Sequence, residues 1–553
     1  MKKLLLISAL LLLLSATLFS SEIRLSAQWE PSLGTLIRWP LGIPIELVVE
    51  LAADDMLYVL VENANQQSSA QSTFSAANVN LDNCEFIFAP TNSHWTRDWG
   101  PHNIFDADDN WAIVDPLFDG YPWVPGDRTQ RDYDDDEAVN QVLAEYFGTY
   151  ASALPVYLTG GNLINDGLGQ AFSTIQMYHE SSHLYSQRDF LEIVQEYTGI
   201  TDYHFLLNIE DYGIQHIDCG AKLLDAETVL IKELPEWHSE YARMEAVADY
   251  FRSITNSYGR NYNIHRIFCD TYSGTEAAAY TNSYILNKKI LVPLFGIAAD
   301  ADALETYQQL MPGYEVIGIY YDAWYYYDAL HCRTREILDP DMLYLQHRPL
   351  DDQVEASAPG SIEVEIIAYS NAALIAAETN LHWRLAGDEP WQSEELELTA
   401  TDNIYQAEFP QMQIGAEIEY YIAAADESGR QSFHPIAAPE ALHRFTVIET
   451  NSAAEQYLPE QLQLKIFPNP FQLSRADNLA LSWQERNLGS EKELKIYNLK
   501  GQLVRSLSIA ASVNSANWDG KDQDKQTVAS GIYLLKLNEN DQTIASQKII
   551  LLK

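Results

Sequence analysis

Six polar residues stand just ahead of apolar, strand-like segments. They are Asp98 in "WTRDWGP", Asn162 in "TGGN", His216 and Asp218 in "HIDC", Asn282 in "TNS" and Cys332 in "ALHCRT". Two carboxylates, an imidazole and a thiol suit a flat cation. A guanidinium presents five donors in a fixed fork, and paired carboxylates accept them bidentately. Its central carbon is a poor electrophile because the charge is delocalised. Rigid placement beside a thiolate recovers much of that barrier through orientation. The bound cation also favours the thiolate form of a nearby cysteine. His216 would protonate the departing amine and later activate water. An Asp or Asn ahead of a hairpin often only caps a turn, but capping does not predict a histidine and a cysteine at equivalent positions.

The stretch "YYYDALHCRTREI" sets Cys332 between His331 and Arg333. A thiol flanked by positive groups is expected to have its pKa drawn toward neutrality.

The elements that must position these residues are short hairpins. Asp98 precedes a turn near residues 106–110, and Asn162 precedes one at Asp166-Gly167. His216 and Asp218 precede a turn around residues 225–227, and Asn282 one at residues 287–289. "LHCRTREI" reads as the fifth member. Helical stretches such as "DDEAVNQVLAEYFGTY" and "EWHSEYARMEAVADYFRSITNSYG" lie between them, with apolar residues three and four apart. Each unit buries its apolar face only against its neighbours. Five can therefore close into a ring with the leading polar residues on its axis.

The 553 residues are too many for one core and predict two to four domains. Residues 1–20 have the lysines, short apolar run and polar exit of a secretory signal peptide, and no later segment reaches the length of a membrane span. The region 22–350 mixes strands with helices. "RPLDDQVEASAPGS" reads as a linker, and residues 360–449 hold alternating strands such as "SIEVEIIAYS" and "EIEYYIAAADESG", which suggest an immunoglobulin-like sandwich. A second linker leads to residues 462–553, where "IYNLKGQLV" is a hairpin turning at Gly501. The formal charge of −45 argues against nucleic acid or an anionic membrane surface as partner. Cys84, Cys219, Cys269 and Cys332 are no disulfide framework, and at most one bridge is expected among the first three. Their spacing matches no zinc pattern, so no structural metal is expected.

The last region resembles the C-terminal sorting domain of type IX secretion cargo, through Pro468-Asn469-Pro470-Phe471, Trp518-Asp519-Gly520 and Gly531-Ile532-Tyr533. That resemblance implies a secreted or cell-surface protein that engages the type IX secretion machinery. The five ordered motifs of the first region resemble the guanidino-group-modifying superfamily, in the branch shared by bacterial peptidylarginine deiminases and agmatine deiminases. The resemblance implies an α+β fold built on a five-bladed α/β-propeller (pentein). It also implies a covalent amidino-enzyme intermediate, hydrolysed to citrulline with release of ammonia, and no cofactor, calcium or other metal.

Carried over by motif, Cys332 is the nucleophile, His216 the general acid/base, and Asp98 and Asp218 the guanidinium-binding carboxylates. Asn282 would order the cysteine, and Gly160, Gly161 and Asn162 would shape the pocket wall. Trp95 lies against the substrate stem or serves as a core tryptophan. Arg128 and Arg131 either clamp the α-carboxylate of a C-terminal arginine or are solvated loop residues. The expected substrate is arginine in a peptide or protein. The alternatives are a small guanidine such as agmatine, amidino transfer to an amine, and a catalytically inactive surface binding protein.

Overall fold

The computed structural model describes residues 23–124, 133–325, 328–356, 360–387 and 390–449. In the C-terminal region it describes 464–467, 471–473, 479–483, 492–498, 501–510, 513, 515–539 and 542–552. The expected signal peptide and both loop arginines, Arg128 and Arg131, lie outside the described residues.

The protein has an α+β fold. In its first part, five sheets repeat one connectivity: an antiparallel pair, a helical crossover, then a parallel strand. His102–Phe105 and Trp111–Leu117 pair antiparallel, and the chain returns through Val139–Phe147 to lay Ala151–Tyr157 parallel beside them. Ile164–Asn165, Gln170–Thr174 and Asp202–Leu206 repeat this, as do Ala221–Leu223, Thr228–Glu233 and Asn263–Phe268. Tyr284–Leu286, Lys289–Leu294 and Glu315–Tyr320 form the fourth unit. Parallel neighbours need a crossover of a dozen or more residues, which is why a helix separates each pair.

The fifth unit departs from the expected hairpin. Arg335–Leu338, which follows Cys332, pairs antiparallel with Ser32–Arg38 from the start of the chain, and Ser32–Arg38 in turn runs parallel to Met56–Val61. No downstream strand was needed as its partner. Joining the two ends of the region covers an edge that Ser32–Arg38 would otherwise present, and Arg335–Leu338 becomes the edge strand of that sheet.

Strand centres in these units read as nearly continuous apolar runs, for example Val229, Leu230 and Ile231, all fully buried. Burial on both faces produces that pattern. The connecting helices are amphipathic: Tyr241–Phe251 buries Met244, Val247, Ala248 and Phe251 against the strands. Of these, Met244, Val247 and Phe251 each contribute about 1.5–3 kcal/mol on burial.

Beyond the fifth unit, two sheets share one core that includes Leu345, Val364, Ile418, Tyr420 and Phe445. The strand Leu343–His347 pairs with Ser361–Ala368 and so belongs to this assembly. The expected linker is in part a strand, because Gln353–Glu355 pairs parallel with His443–Ile448. In the C-terminal region, two sheets enclose Trp483, Trp518, Leu535 and Ile549. The expected hairpin is there, as Lys492–Asn498 against Leu503–Ile509 with Gly501 at φ 75°. Among the described residues no helix is long and apolar enough to cross a membrane.

Candidate active site

Each candidate side chain sits on a tight turn immediately before the first strand of a unit. Asp98 lies on the one-turn helix Thr96–Trp99, and Gly160–Asn162, Ile217–Cys219 and His331–Arg333 are 3₁₀ turns. Asn282 is in a turn closed by its own N–H on the Ala279 carbonyl at 2.9 Å. One turn of helix ahead of a strand aims a side chain out of the end of the sheet, so five similar units can bring these groups together.

The turns are tied to one another. The Asn162 Oδ1 accepts the backbone N–H of Thr174 at 3.0 Å and that of Ile217 at 3.1 Å, so it joins the second turn to the third. Its amide is thereby engaged in stapling these turns. The pocket wall itself is formed by Gly161. A Cβ at that position would lie 2.6 Å from both Asp98 Oδ1 and His216 Nδ1, and 3.4 Å from Asp218 Oδ2. Two carboxylates and an imidazole therefore face one bare backbone carbon. Gly160 is held as closely, since a Cβ there would meet the Arg97 carbonyl oxygen at 2.0 Å.

Asp98 accepts the backbone N–H of Gly161 at 3.0 Å on Oδ1 and the Tyr121 hydroxyl on Oδ2. His216 is completely buried and neither ring nitrogen has a hydrogen-bond partner among the described residues; Nδ1 lies 3.5 Å from Asp98 Oδ1. A buried imidazole with two unpartnered nitrogens is costly unless a ligand or a transferred proton meets it. The third group, Asp218, receives Asn282 Nδ2 at 3.1 Å and His331 Nδ1 at 2.7 Å on Oδ2, and the Cys219 thiol at 3.4 Å on Oδ1. The Cys332 Sγ is 3.9 Å from Asp218 Oδ2 and 3.3 Å from Asn282 Nδ2.

The structure thus brings Asp98, His216, Asp218, Asn282 and Cys332 into one buried cluster, with Gly161 against it. Trp95 is at its edge. Its ring meets Tyr121 edge-on at 5.4 Å, and its Nε1 donates to Asp328 at 2.9 Å.

Burial dominates the electrostatics. It pushes Asp98 up to about 8 against the pull of the Tyr121 hydrogen bond, with the nearby Asp218 charge adding to the rise. It also pushes Asp218 up to about 7, opposed by Cys219, Arg97, Lys222 and Asn282. Burial drives His216 down to about 3, so the imidazole is neutral. The contact with Cys219 draws the Cys332 thiol down, but burial and the carboxylates of Asp218, Asp328 and Asp98 outweigh it and set the thiol at about 11.

That last value corrects the expectation of a lowered thiol. The flanking residues lend Cys332 little positive charge: His331 lends none, and the Arg333 guanidinium feels the thiolate only after its stronger attraction to Asp328. Burial, Arg97, Lys222 and Arg335 hold His331 well below its ordinary value, so it is neutral. Arg333 turns away and forks onto Asp328, with both contacts at 2.7 Å. On a 3₁₀ turn, successive side chains diverge by a third of a turn, so sequence neighbours face different surroundings.

Several contributors were not singled out from the sequence: Tyr121 on Asp98, Cys219 beside Asp218, His331, and behind it Gln28 and Lys222. Lys222 had a usable signal, since it is a lone charge in the strand "AKLL". Tyr121 and Gln28 lie in irregular segments where no period marks them. Asp218, Cys219 and Cys332 could also offer a metal an oxygen and two sulfurs, all within 4.8 Å of one another. Both thiols are held high by the site, and a metal would have to displace their protons.

Residues 24–337, more than half of the chain, match the family model of Porphyromonas-type peptidyl-arginine deiminases, and residues 465–552 match that of the secretion system C-terminal sorting domain. A Shewanella baltica protein provisionally named an agmatine deiminase is 23% identical over 257 residues, covering 41% of this chain and 69% of its own length. A crystal structure of a Porphyromonas gingivalis protein, provisionally named an arginine deiminase, superposes with a TM-score of 0.51 at 20% identity, over 58% of this chain and 99% of the other. The agmatine deiminase of Enterococcus faecalis gives a TM-score of 0.50 at 19% identity, over 57% and 96%. These structural likenesses establish the fold. The chain belongs to the Porphyromonas-type peptidyl-arginine deiminase family, hydrolases that act on guanidino groups, and carries a type IX sorting domain that directs it to secretion or the cell surface.

Proposed function

We propose that this protein is an exported peptidylarginine deiminase that converts arginine in peptides or proteins to citrulline and ammonia. The carrying observation is the convergence of Asp98, His216 and Asp218 on the Cα of Gly161, with Cys332 3.9 Å from Asp218. In this reading the five repeated units are the blades of an α/β-propeller spanning about residues 22–350. Residues 360–449 are an immunoglobulin-like sandwich, residues 462–553 the β-sandwich sorting domain, and residues 1–20 a signal peptide.

The chemistry follows from the protonation states. By themselves the thiol and the imidazole are both neutral and the carboxylates are close to protonation at neutral pH. A guanidinium entering between Asp98 and Asp218 favours both carboxylates and supplies the positive charge that Cys332 lacks. The thiol proton passes to His216, and the thiolate adds to the guanidinium carbon. His216 returns that proton to one terminal nitrogen, which leaves as ammonia, and the carbon stays bonded to sulfur as an S-alkylthiouronium. Water, deprotonated by His216, then adds to that carbon. The C–S bond breaks, the adduct's hydroxyl proton restores the Cys332 thiol as citrulline departs, and His216 gives its proton up to solvent, where the released ammonia takes it up. Asn282, hydrogen-bonded to Sγ and to the Cys332 backbone, keeps the sulfur on line. Trp95 flanks the entering side chain.

A second reading, a deiminase for a small guanidine such as agmatine, draws on the relatives that bear that name. One panel separates the two: ammonia release from free arginine, agmatine, and peptides with internal or terminal arginine. Peptide turnover that disappears in Cys332→Ala supports the proposal. Efficient turnover of agmatine with peptides ignored favours the second reading, and binding of arginine peptides without ammonia release would indicate a catalytically inactive binding protein.

A further inference from the structure

Behind Asp218 a line of side chains leads to a small internal cavity of about 40 Å³, lined by Gln28, Arg97, Lys222, His331 and Glu336 among others. At its far end the buried Lys222 ammonium donates to Gln28 Oε1 at 2.5 Å and to the Ser283 carbonyl at 2.8 Å. Burial draws the Lys222 ammonium down to about 7, yet charged or neutral its amine has N–H donors for both of these oxygens, so the Gln28 oxygen faces Lys222 and its amide nitrogen faces His331. That nitrogen lies 2.5 Å from His331 Nε2. Because the amide donates, Nε2 accepts. A neutral imidazole has a single ring proton, which is thereby fixed on Nδ1, 2.7 Å from Asp218 Oδ2.

We propose that Gln28 and His331 are positioning residues for deimination, holding the imidazole in the tautomer that donates to Asp218 and so keeping Asp218 a carboxylate ready for guanidinium. This inference rests on the functional reading above. Its ground is the order of donors along the line, which leaves each link one choice of orientation. The buried Lys222 sets the first link, and the last falls on one of the two carboxylates of the site.

The other groups around Asp218 do not replace this contact. Asp98, carried by the Thr96–Trp99 helix, and Glu210 disfavour its charge, while Arg97 and Lys222 favour it from a distance. The Arg97 guanidinium is engaged by Glu336, at 2.7 and 3.0 Å. Within the same turn Cys219 faces Oδ1, and His216 stands across Gly161. Asn282 donates to Oδ2, and Cys332 lies beyond it. Asn282 and His331 therefore share Oδ2, and His331 makes the shorter contact.

The test uses the full chain with Cys332→Ser, which holds a guanidinium without turning it over. Benzoyl-arginine amide and agmatine are titrated by calorimetry between pH 5.5 and pH 9, roughly the range over which raised carboxyl groups ionise. Affinity should rise with pH about a midpoint. Adding Gln28→Leu or His331→Leu should move that midpoint upward by about one pH unit, the effect of losing one hydrogen bond to a carboxylate. Adding His331→Asn, whose amide nitrogen can take the place of Nδ1, should restore most of the shift. If affinity falls equally at every pH and the midpoints coincide, or if Asn behaves as Leu does, the positioning role is wrong while the functional reading stands. If neither guanidine binds the Cys332→Ser protein at any pH, both fall. Should His331→Leu fail to fold by circular dichroism, Gln28→Leu decides the question alone, because Lys222→Met would also remove a charge that favours the Asp218 carboxylate directly.

Discussion

Asn282 grips Cys332 at two points: its Nδ2 lies 3.3 Å from Sγ, and its Oδ1 accepts the Cys332 backbone N–H at 3.3 Å. The same amide nitrogen reaches Asp218 at 3.1 Å. One side chain thus fixes the distance between sulfur and carboxylate. Asn282→Ala should lower kcat by about 10- to 100-fold, the range for losing a hydrogen bond to a charged group in the transition state. KM should change less. Steady-state kinetics check this, and an unchanged kcat would show that the sulfur is held by other means.

Gly161 carries a sharper prediction. A methyl group there would press on Asp98 and His216 together, in the space that faces the guanidinium. Gly161→Ala should therefore abolish guanidinium binding in calorimetry. Because overpacking costs about 1–3 kcal/mol, the protein should still fold, and its circular dichroism should be retained. Substantial remaining activity would mean that the substrate sits elsewhere.

The raised carboxyl groups predict a pH-dependent response to ligand. Asp98 at about 8 and Asp218 at about 7 lie well above the ordinary carboxyl range of about 4. A carboxyl group that is harder to ionise in the folded state than in the unfolded one destabilises the fold as pH rises. These two contributions begin near pH 4 and are complete above pH 8. A bound guanidinium offsets them. The rise in melting temperature caused by benzoyl-arginine amide should thus be larger at pH 8.5 than at pH 5.5. A larger rise at pH 5.5 would contradict the assignment of these carboxylates.

Arg333 separates structure from chemistry. Its guanidinium is buried against Asp328 and also donates to the Gly42 carbonyl. Arg333→Ala leaves Asp328 with only Trp95 and His94 as side-chain partners among the described residues and should cost about 3 kcal/mol of stability, measured by denaturant unfolding. The pH dependence of Cys332 alkylation should move upward by less than about one pH unit, because Arg333 acts on the thiol chiefly by offsetting the Asp328 charge and only weakly by its own. A marked upward shift of that dependence would restore the sequence expectation that Arg333 activates the thiol.

The sequence conveyed the composition of the cluster better than its electrostatics. Asp98, His216, Asp218, Asn282 and Cys332 could be found because each stands before a short, largely apolar run, and such runs bounded by turn signals read as buried strands. The fifth unit misled because its partner strand, Ser32–Arg38, lies about 300 residues away, and such pairing leaves no local trace. Cys332 misled for a related reason. Its sequence neighbours look cationic, but Arg333 faces Asp328 and His331 faces Asp218. Gln28 was not found at all, since its role depends on two residues roughly 200 and 300 positions away. The segment 353–355 read as linker because short edge strands have little apolar content to reveal them.

One measurement bears most directly on the chemistry: mass spectrometry of the Cys332 peptide after rapid acid quench during turnover of an arginine peptide. The account predicts a transient adduct on Cys332 equal to the substrate less one ammonia, absent in Cys332→Ala and Asp98→Ala. Citrulline formed at an undiminished rate by Cys332→Ala, with no adduct at any time, would contradict it.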